Sequence, residues 1–317
     1  MGTYAVRRTG QGLIVVIVVS FITFIEAHLL PGNPARAILG VHASSAQIQA
    51  FDIENGYNKA LPIQYVDYAI RLLRGNLGFS YVLNQSVASL LAERLPATVI
   101  LVGLSVLVSL IAAIPLAVLQ AVRRNRPADY VLTGFTFAFY SMPTFWLGLM
   151  FVMLLAVKAH VFPPIAPQGG PVQILQHPQG LVLPVLTLAL GNIAAFSRYL
   201  RSSLLDNLAM DYVRTARAIG SSNRRALYVH VFKNALAPVI TLIGLSLPGI
   251  LSGALITESI FNYPGMGLLY WNSALSQDYP VLLGVTIVVA VGTVAGSLIA
   301  DLLYAVADPR IRYGRPA

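Results

Sequence analysis

Ala97–Val122 reads ATVILVGLSVLVSLIAAIPLAVLQAV, an unbroken run without one charged side chain. A bilayer core about 30 Å thick is crossed by about 20 apolar residues in helix. This stretch is therefore predicted to be a membrane span. Five others qualify by the same measure: 10–30, 130–157, 181–200, 236–257 and 281–306. Pro115, Pro143, Pro184, Pro248 and Gly249 lie inside these stretches. They do not argue against helix, because neighbouring groups in a membrane bundle satisfy the freed backbone. Of the 317 residues, 56% are apolar and 10% charged. A soluble domain carries about 25% charged residues, so a cytosolic enzyme and a disordered scaffold are excluded. There is no Cys, which excludes a disulfide framework and a Cys-based metal site. The predicted fold class is an all-α polytopic membrane protein with six transmembrane helices.

Charge sets the orientation. Lys and Arg number 21 against 12 acids, a net +9. One alternating set of segments holds Arg7, Arg8, Arg123, Arg124, Arg126, Arg198, Arg201, Arg214, Arg217, Arg224, Arg225, Lys233, Arg310, Arg312 and Arg315, fifteen in all. The opposite set holds Arg36, Lys59, Arg71, Arg74 and Arg94 in one loop, and Lys158 at a span end. That loop, Pro31–Pro96, exceeds the roughly 60 residues beyond which loop charge stops deciding topology. The reading is both termini cytoplasmic, with a long external loop after the first helix. The +9 then marks topology and not nucleic-acid binding. The first span has a basic start and a small-residue Ala35-Arg36-Ala37 site, but its apolar stretch is too long for a signal peptide. It is read as an uncleaved helix.

Two polar segments are informative. In the external loop, Leu61-Pro62-Ile63-Gln64-Tyr65 leads into apolar residues at Tyr65, Tyr68, Ala69, Leu72 and Leu73. That spacing predicts an amphipathic helix, packed on the protein or lying on the bilayer, and ended by Gly75-Asn76-Leu77-Gly78. Between spans four and five, Asp211-Tyr212-Val213-Arg214-Thr215-Ala216-Arg217-Ala218-Ile219-Gly220 predicts a short helix ending at Gly220. Ala216, Ile219 and Gly220 are placed on one face, Arg214 and Arg217 on another. Ser221 and Ser222 then start a second short helix. The alternative is an ordinary solvated basic loop.

Candidate chemistry is sparse. A P-loop needs Gly-x4-Gly-Lys-Ser/Thr, and none of the three lysines, Lys59, Lys158 and Lys233, follows a Gly. The five histidines, His28, His42, His160, His177 and His230, show no i,i+4 pair of the kind that holds zinc on a helix. Gly244-Leu245-Ser246-Leu247-Pro248 resembles a nucleophile elbow, but Pro248 stands at the second Gly. An intramembrane hydrolase therefore lacks its nucleophile and base. A channel or receptor subunit is not excluded by composition. Glu26, His28 and Lys158 are placed at span ends, where they snorkel or hydrogen-bond; Asp301, inside span six, calls for a basic partner such as Arg310.

The run Asp211–Ala218 followed by Gly220 resembles the cytoplasmic loop of bacterial ABC importer permeases of the dipeptide, oligopeptide and nickel branch. Further stretches are similar to the same family in order: Leu30-Pro31-Gly32-Asn33-Pro34-Ala35; Gly75-Asn76-Leu77-Gly78-Phe79-Ser80-Tyr81; Ser141-Met142-Pro143-Thr144-Phe145-Trp146-Leu147-Gly148; Glu258 through Gly267 with Asp278-Tyr279-Pro280; and Asp308-Pro309-Arg310-Ile311-Arg312. Asn33 and Asn76 stand where Asp is common, and Arg214-Thr215-Ala216 replaces the general Glu-Ala-Ala triplet. The resemblance implies a type I importer permease fold with no enzymatic activity of its own, divided into 1–95 (first helix and external loop) and 96–317 (transmembrane core, coupling loop 201–235). It implies transport of peptides, or of nickel or another small solute, across the bacterial inner membrane. The implied partners are a second homologous permease, two ATPase subunits that bind the ATP and Mg, an external substrate-binding lipoprotein and the lipid bilayer. The implied coupling helix is about Thr215 to Ser222. Its ATPase contacts would come from Arg214, Thr215, Ala216, Arg217, Ala218, Ile219, Gly220 and Ser221, with Gly220 allowing close approach. For the arginines the alternative partner is an inner-leaflet phosphate, worth about 1 kcal/mol each. Ser246, Pro248, Gly249 and Gly253 are implied as pathway residues, with close helix packing as the alternative.

Overall fold

A computed structural model describes residues 2–29, 35, 39, 42–236, 238–244 and 254–307. Among the described residues five helices are long and apolar enough to cross a membrane: Thr9–Leu29, Val87–Val122, Pro178–Leu208, Asn223–Gly244 and Tyr279–Leu298. The predicted third span is a pair, Pro127–Ser141 and Thr144–Lys158, bent by 99°. Counted as one broken span it makes the sixth. The bend falls at Met142 and Pro143, whose φ/ψ are extended. Proline disfavours helix in the residue before it and offers no N–H to the turn behind, so the apolar run cannot stay straight.

We number the helices α1 (Gly2–Leu29), α2 (Ser45–Asn55), α3 (Leu61–Leu73), α4 (Val87–Val122), α5 (Pro127–Ser141), α6 (Thr144–Phe151, continued as a π-helix over Val152–Lys158), α7 (Pro171–Gln176), α8 (Val182–Leu208), α9 (Asp211–Ala218), α10 (Asn223–Gly244), α11 (Leu255–Ile260), α12 (Met266–Leu275) and α13 (Tyr279–Ala307). A two-stranded hairpin, β1 (Phe79–Ser80) with β2 (Gln85–Ser86), precedes α4. Several boundaries move from their predicted places. The second span begins at Val87, capped by the Ser86 side chain, ten residues before the predicted start at Ala97. The fifth begins at Asn223 and not near 236, and Leu255–Ile260 is a separate helix. Hydropathy marks only the lipid-immersed part of a helix; hydrogen bonding carries the helix on into water.

The central seam joins α4 to α8. Its α4 face is small and polar: Ser105, Ser109, Ala113 and Ala117 are all buried. Small residues let membrane helices approach closely, and Ser109 Oγ donates across the seam to the Ala189 carbonyl at 3.1 Å. The outward faces are apolar and uncovered, as at Ile111, Phe137 and Val291. That is the surface of a helix bathed in lipid or set against another bundle.

At the bundle end carrying Arg123 and Arg126, here called the basic side, α5 and α8 are tied by one ion pair. Arg201 donates from Nε to Asp129 Oδ1 at 3.1 Å and from Nη2 to Oδ2 at 2.8 Å. At the other end α3 packs on α1 and ends at Gly75 as predicted; the β-hairpin between it and α4 was not predicted. Gly75 has φ +76, and the Gly75 and Asn76 amides donate to the Leu72 and Arg71 carbonyls, so glycine caps α3.

Candidate functional site

The predicted short helix on the basic side exists, as α9. Asp211 stands in its first turn, where a negative charge favours the helix dipole. The helix ends through a Schellman motif: the Gly220 amide donates to the Arg217 carbonyl at 3.0 Å, and the Ser221 amide to Ala216 at 3.0 Å. Gly220 sits at φ +91, the left-handed region that glycine enters without Cβ strain. A Cβ there would meet nothing within 4 Å. Within this chain the glycine serves backbone conformation, as the predicted C-cap. The helix expected at about 215–222 lies at Asp211–Ala218, and 219–222 is its cap and the next N-cap. Ser222 accepts from the Arg225 amide at 3.3 Å and opens α10, which runs on into the membrane and is not a second short helix.

α9 is held by two side chains. Val213 is fully buried and Ala216 is 5% exposed. Val213 enters a cluster made by Ala117 and Ala121 of α4, Leu200 and Leu204 of α8, and Ala226, Leu227 and Val231 at the start of α10. The alanines leave room for the helix to lie close. The predicted common face of Ala216, Ile219 and Gly220 is therefore wrong. Ala216 faces the bundle, while Ile219, beyond the last helical turn, is 82% exposed.

Of the predicted coupling residues, Arg214, Thr215, Arg217, Ala218, Ile219 and Gly220 are exposed together, Ala216 is buried, and Ser221 is half-buried. Arg214 is 3.5 Å from the exposed Asp211 carboxylate, a pair of little energetic weight in water. Arg217, Arg224 and Arg225 stand exposed nearby, with Tyr228 and Val229. The surface is an apolar tip ringed by guanidinium groups on a rigid base. Two of the basic residues counted on this side have other work. Arg201 is bound to Asp129, and Arg198 lies 4.7 Å over the Tyr140 ring.

The opposite end contains a site that sequence reasoning left as a motif. Glu258 is fully buried. Its Oε1 accepts from Thr98 Oγ1 at 3.0 Å and the Ala254 amide at 3.2 Å; its Oε2 accepts from the Leu268 amide at 2.9 Å. Thr98 Oγ1 in turn accepts from the Met266 amide at 2.8 Å. A Cβ on Gly265 would fall 2.5 Å from Glu258 Cδ, so glycine there makes room for the carboxylate. Burial pushes the Glu258 carboxyl up, opposed by these donors. Tyr263 adds a 2.6 Å hydrogen bond from its hydroxyl to the Ala97 carbonyl. The α11–α12 hairpin is thereby latched onto α4. The available signal was an acid followed by Tyr263-Pro264-Gly265, a turn that brings backbone amides back toward Glu258.

Ser246, Pro248, Gly249 and Gly253 lie outside the described residues, as do Asn33, the Asp308–Arg312 stretch and the side chain of Asp301. His28, placed at a span end, hydrogen-bonds there to the Phe24 carbonyl at 2.8 Å and Gln64 Oε1 at 3.1 Å.

Residues 113–313 match the family described as binding-protein-dependent transport system inner membrane component, and residues 1–102 match its N-terminal membrane component. The chain is 36% identical over 316 residues to the oligopeptide transport system permease protein AppB of Bacillus subtilis, covering 99% of this chain and 100% of the relative. It is 35% identical over 333 residues to the probable D,D-dipeptide transport system permease protein DdpB of Escherichia coli K12, with 97% of each covered. Its fold is similar to a chain of the inward-facing MetNI methionine ABC transporter, with TM-score 0.54, 14% identity, and 70% of this chain and 97% of that one covered. The chain is a multi-pass membrane protein of the type I importer fold, and it belongs to the family of binding-protein-dependent transport system inner membrane components.

Proposed function

We propose that this chain is the transmembrane permease subunit of an ATP-driven peptide importer, and that α9 couples it to a separate ATPase. The observation that carries the coupling role is α9 itself: two buried side chains seat it, and Ile219 with its arginines faces away from the bundle. A helix so seated transmits a push to α4, α8 and α10 together. The relatives' names, oligopeptide and D,D-dipeptide transport system permeases, support a peptide as the cargo. We take the partners to be a second homologous permease, two ATPase subunits and an external binding lipoprotein. The membrane is the bacterial inner membrane with both termini cytoplasmic, as the fifteen basic residues on one side support. The working division is residues 1–95 with the first helix and external loop, and 96–317 with the core and coupling loop 201–235.

The test is to replace Ile219 by Cys in the assembled transporter and crosslink it during ATP turnover. Crosslinks to the ATPase subunit, with peptide uptake in the unlinked protein, support the assignment. A membrane-inserted complex in which Ile219→Asp leaves ATPase association and peptide uptake unchanged overturns it.

A further inference from the structure

We infer that α3 is an interfacial membrane helix, which docks on α1 by one face and inserts Ile63, Val66, Ile70 and Leu73 among the acyl chains of the leaflet beside it. The helix has three sectors. Tyr65, Tyr68 and Leu72 pack against Phe24 of α1 and Leu283 and Ile287 of α13. Asp67, Arg71 and Arg74 follow one another along a polar edge. Ile63, Val66, Ile70 and Leu73 recur at i, i+3, i+7 and i+10 and are 52%, 53%, 42% and 88% exposed. Such a stripe is one face of an α-helix; it stays exposed among the described residues, with Ile70 at its border with the cleft beside Arg71.

Depth decides what does. The Tyr65 hydroxyl lies 3.0 Å from Ser20 Oγ, and Ser20 is nine residues inside the Leu29 end of the first span. At 1.5 Å per residue the hydroxyl reaches about 14 Å below that end. The Tyr65 ring also packs edge-on against Phe21, its centroid 5.2 Å away. The helix is thus alongside the span and not suspended above it. Its apolar stripe continues the uncovered belt of α1, where Ile14, Ile17, Val18 and Phe21 are exposed. Around its polar edge stand Tyr57, Tyr81 and Tyr279, lining with Arg71 and Arg74 a cleft of about 730 Å³. An apolar stripe, basic residues on the polar edge and flanking aromatics are the composition of an interfacial helix.

The chain has no Cys, so single nitroxide labels report one site each. With the assembled transporter in lipid nanodiscs, Val66→Cys and Ile70→Cys are each labelled and exposed to oxygen and to a water-soluble nickel chelate. Asp67→Cys is the aqueous reference. The expected result is a reversal: relaxation at 66 and 70 is dominated by oxygen, and at 67 by the nickel chelate. Leu73→Cys, at a side chain that carries no packing, repeats the measurement should either label disturb the helix. Equal nickel access at the stripe and at 67 overturns the inference in favour of a solvated face. Exclusion of both reagents overturns it in favour of a protein partner.

Discussion

Arg201 of α8 grips Asp129 of α5 with both arms of its guanidinium, at 3.1 and 2.8 Å, and the Asp129 side chain is only 3% exposed. The Asn125 amide adds a third donor at 3.1 Å. Planar, two-point recognition is what Arg offers and Lys cannot. The pair sits where α4 turns into α5, on the side that carries α9.

Arg201→Ala strands the buried Asp129 carboxylate, and breaking a buried pair this way costs about 3 kcal/mol. Denaturant titration of the inserted protein in detergent checks this, with Arg201→Lys recovering only part. A loss well under 1 kcal/mol would show that water reaches Asp129.

Gly220→Ala forces a Cβ into the left-handed region, with an expected cost of about 1–2 kcal/mol in the α9 cap. Because the surrounding space is open, no clash adds to it, and Gly220→Asn should suffer less. The readout is peptide taken up per ATP hydrolysed in proteoliposomes: uncoupling is expected with normal insertion. Undiminished uptake by Gly220→Trp would sink the coupling role of this cap.

Glu258→Ala leaves Thr98 Oγ1 and the Ala254 and Leu268 amides short of an acceptor and empties buried space. The expected loss is about 3 kcal/mol, from one to three for each buried group left unpaired less what water recovers. Glu258→Gln keeps one acceptor oxygen and should lose less. Hydrogen exchange confined to 255–275 is the check; protection unchanged in Glu258→Ala would mean the latch is held elsewhere.

Asp278 accepts from Ser80 Oγ and from the Val281 amide, capping α13, yet burial pushes its carboxyl above the ordinary 3.8. The folded state then holds the proton more tightly than the unfolded one. Stability therefore falls as pH rises from the ordinary aspartate value through the raised one. Limited proteolysis of the β-hairpin across that window should show cleavage increasing with pH, and Asp278→Asn should flatten the slope. Parallel slopes in the two proteins would refute the assignment. Tyr57, raised to about 12 chiefly by burial, does not titrate there.

Much of this molecule was legible locally. The charge-free Ala97–Val122 run, the asymmetry of the arginines and the two helix ends at Gly75 and Gly220 follow from the chain alone. Burying apolar length in lipid, and admitting φ above zero only for glycine, are properties of a few adjacent residues. The structure decided what depends on partners far along the chain. Arg198 and Arg201 read like Arg214 and Arg217 in sequence, but Asp129, 72 residues away, claims Arg201. Glu258 read as one acid in a motif until Thr98, 160 residues away, met it in a dry site. The 99° break of the third span and the outward turn of Ile219 belong to the same class. Hydropathy and periodicity sum over neighbours, whereas an ion pair, a latch or an exposed tip is settled by which helices touch.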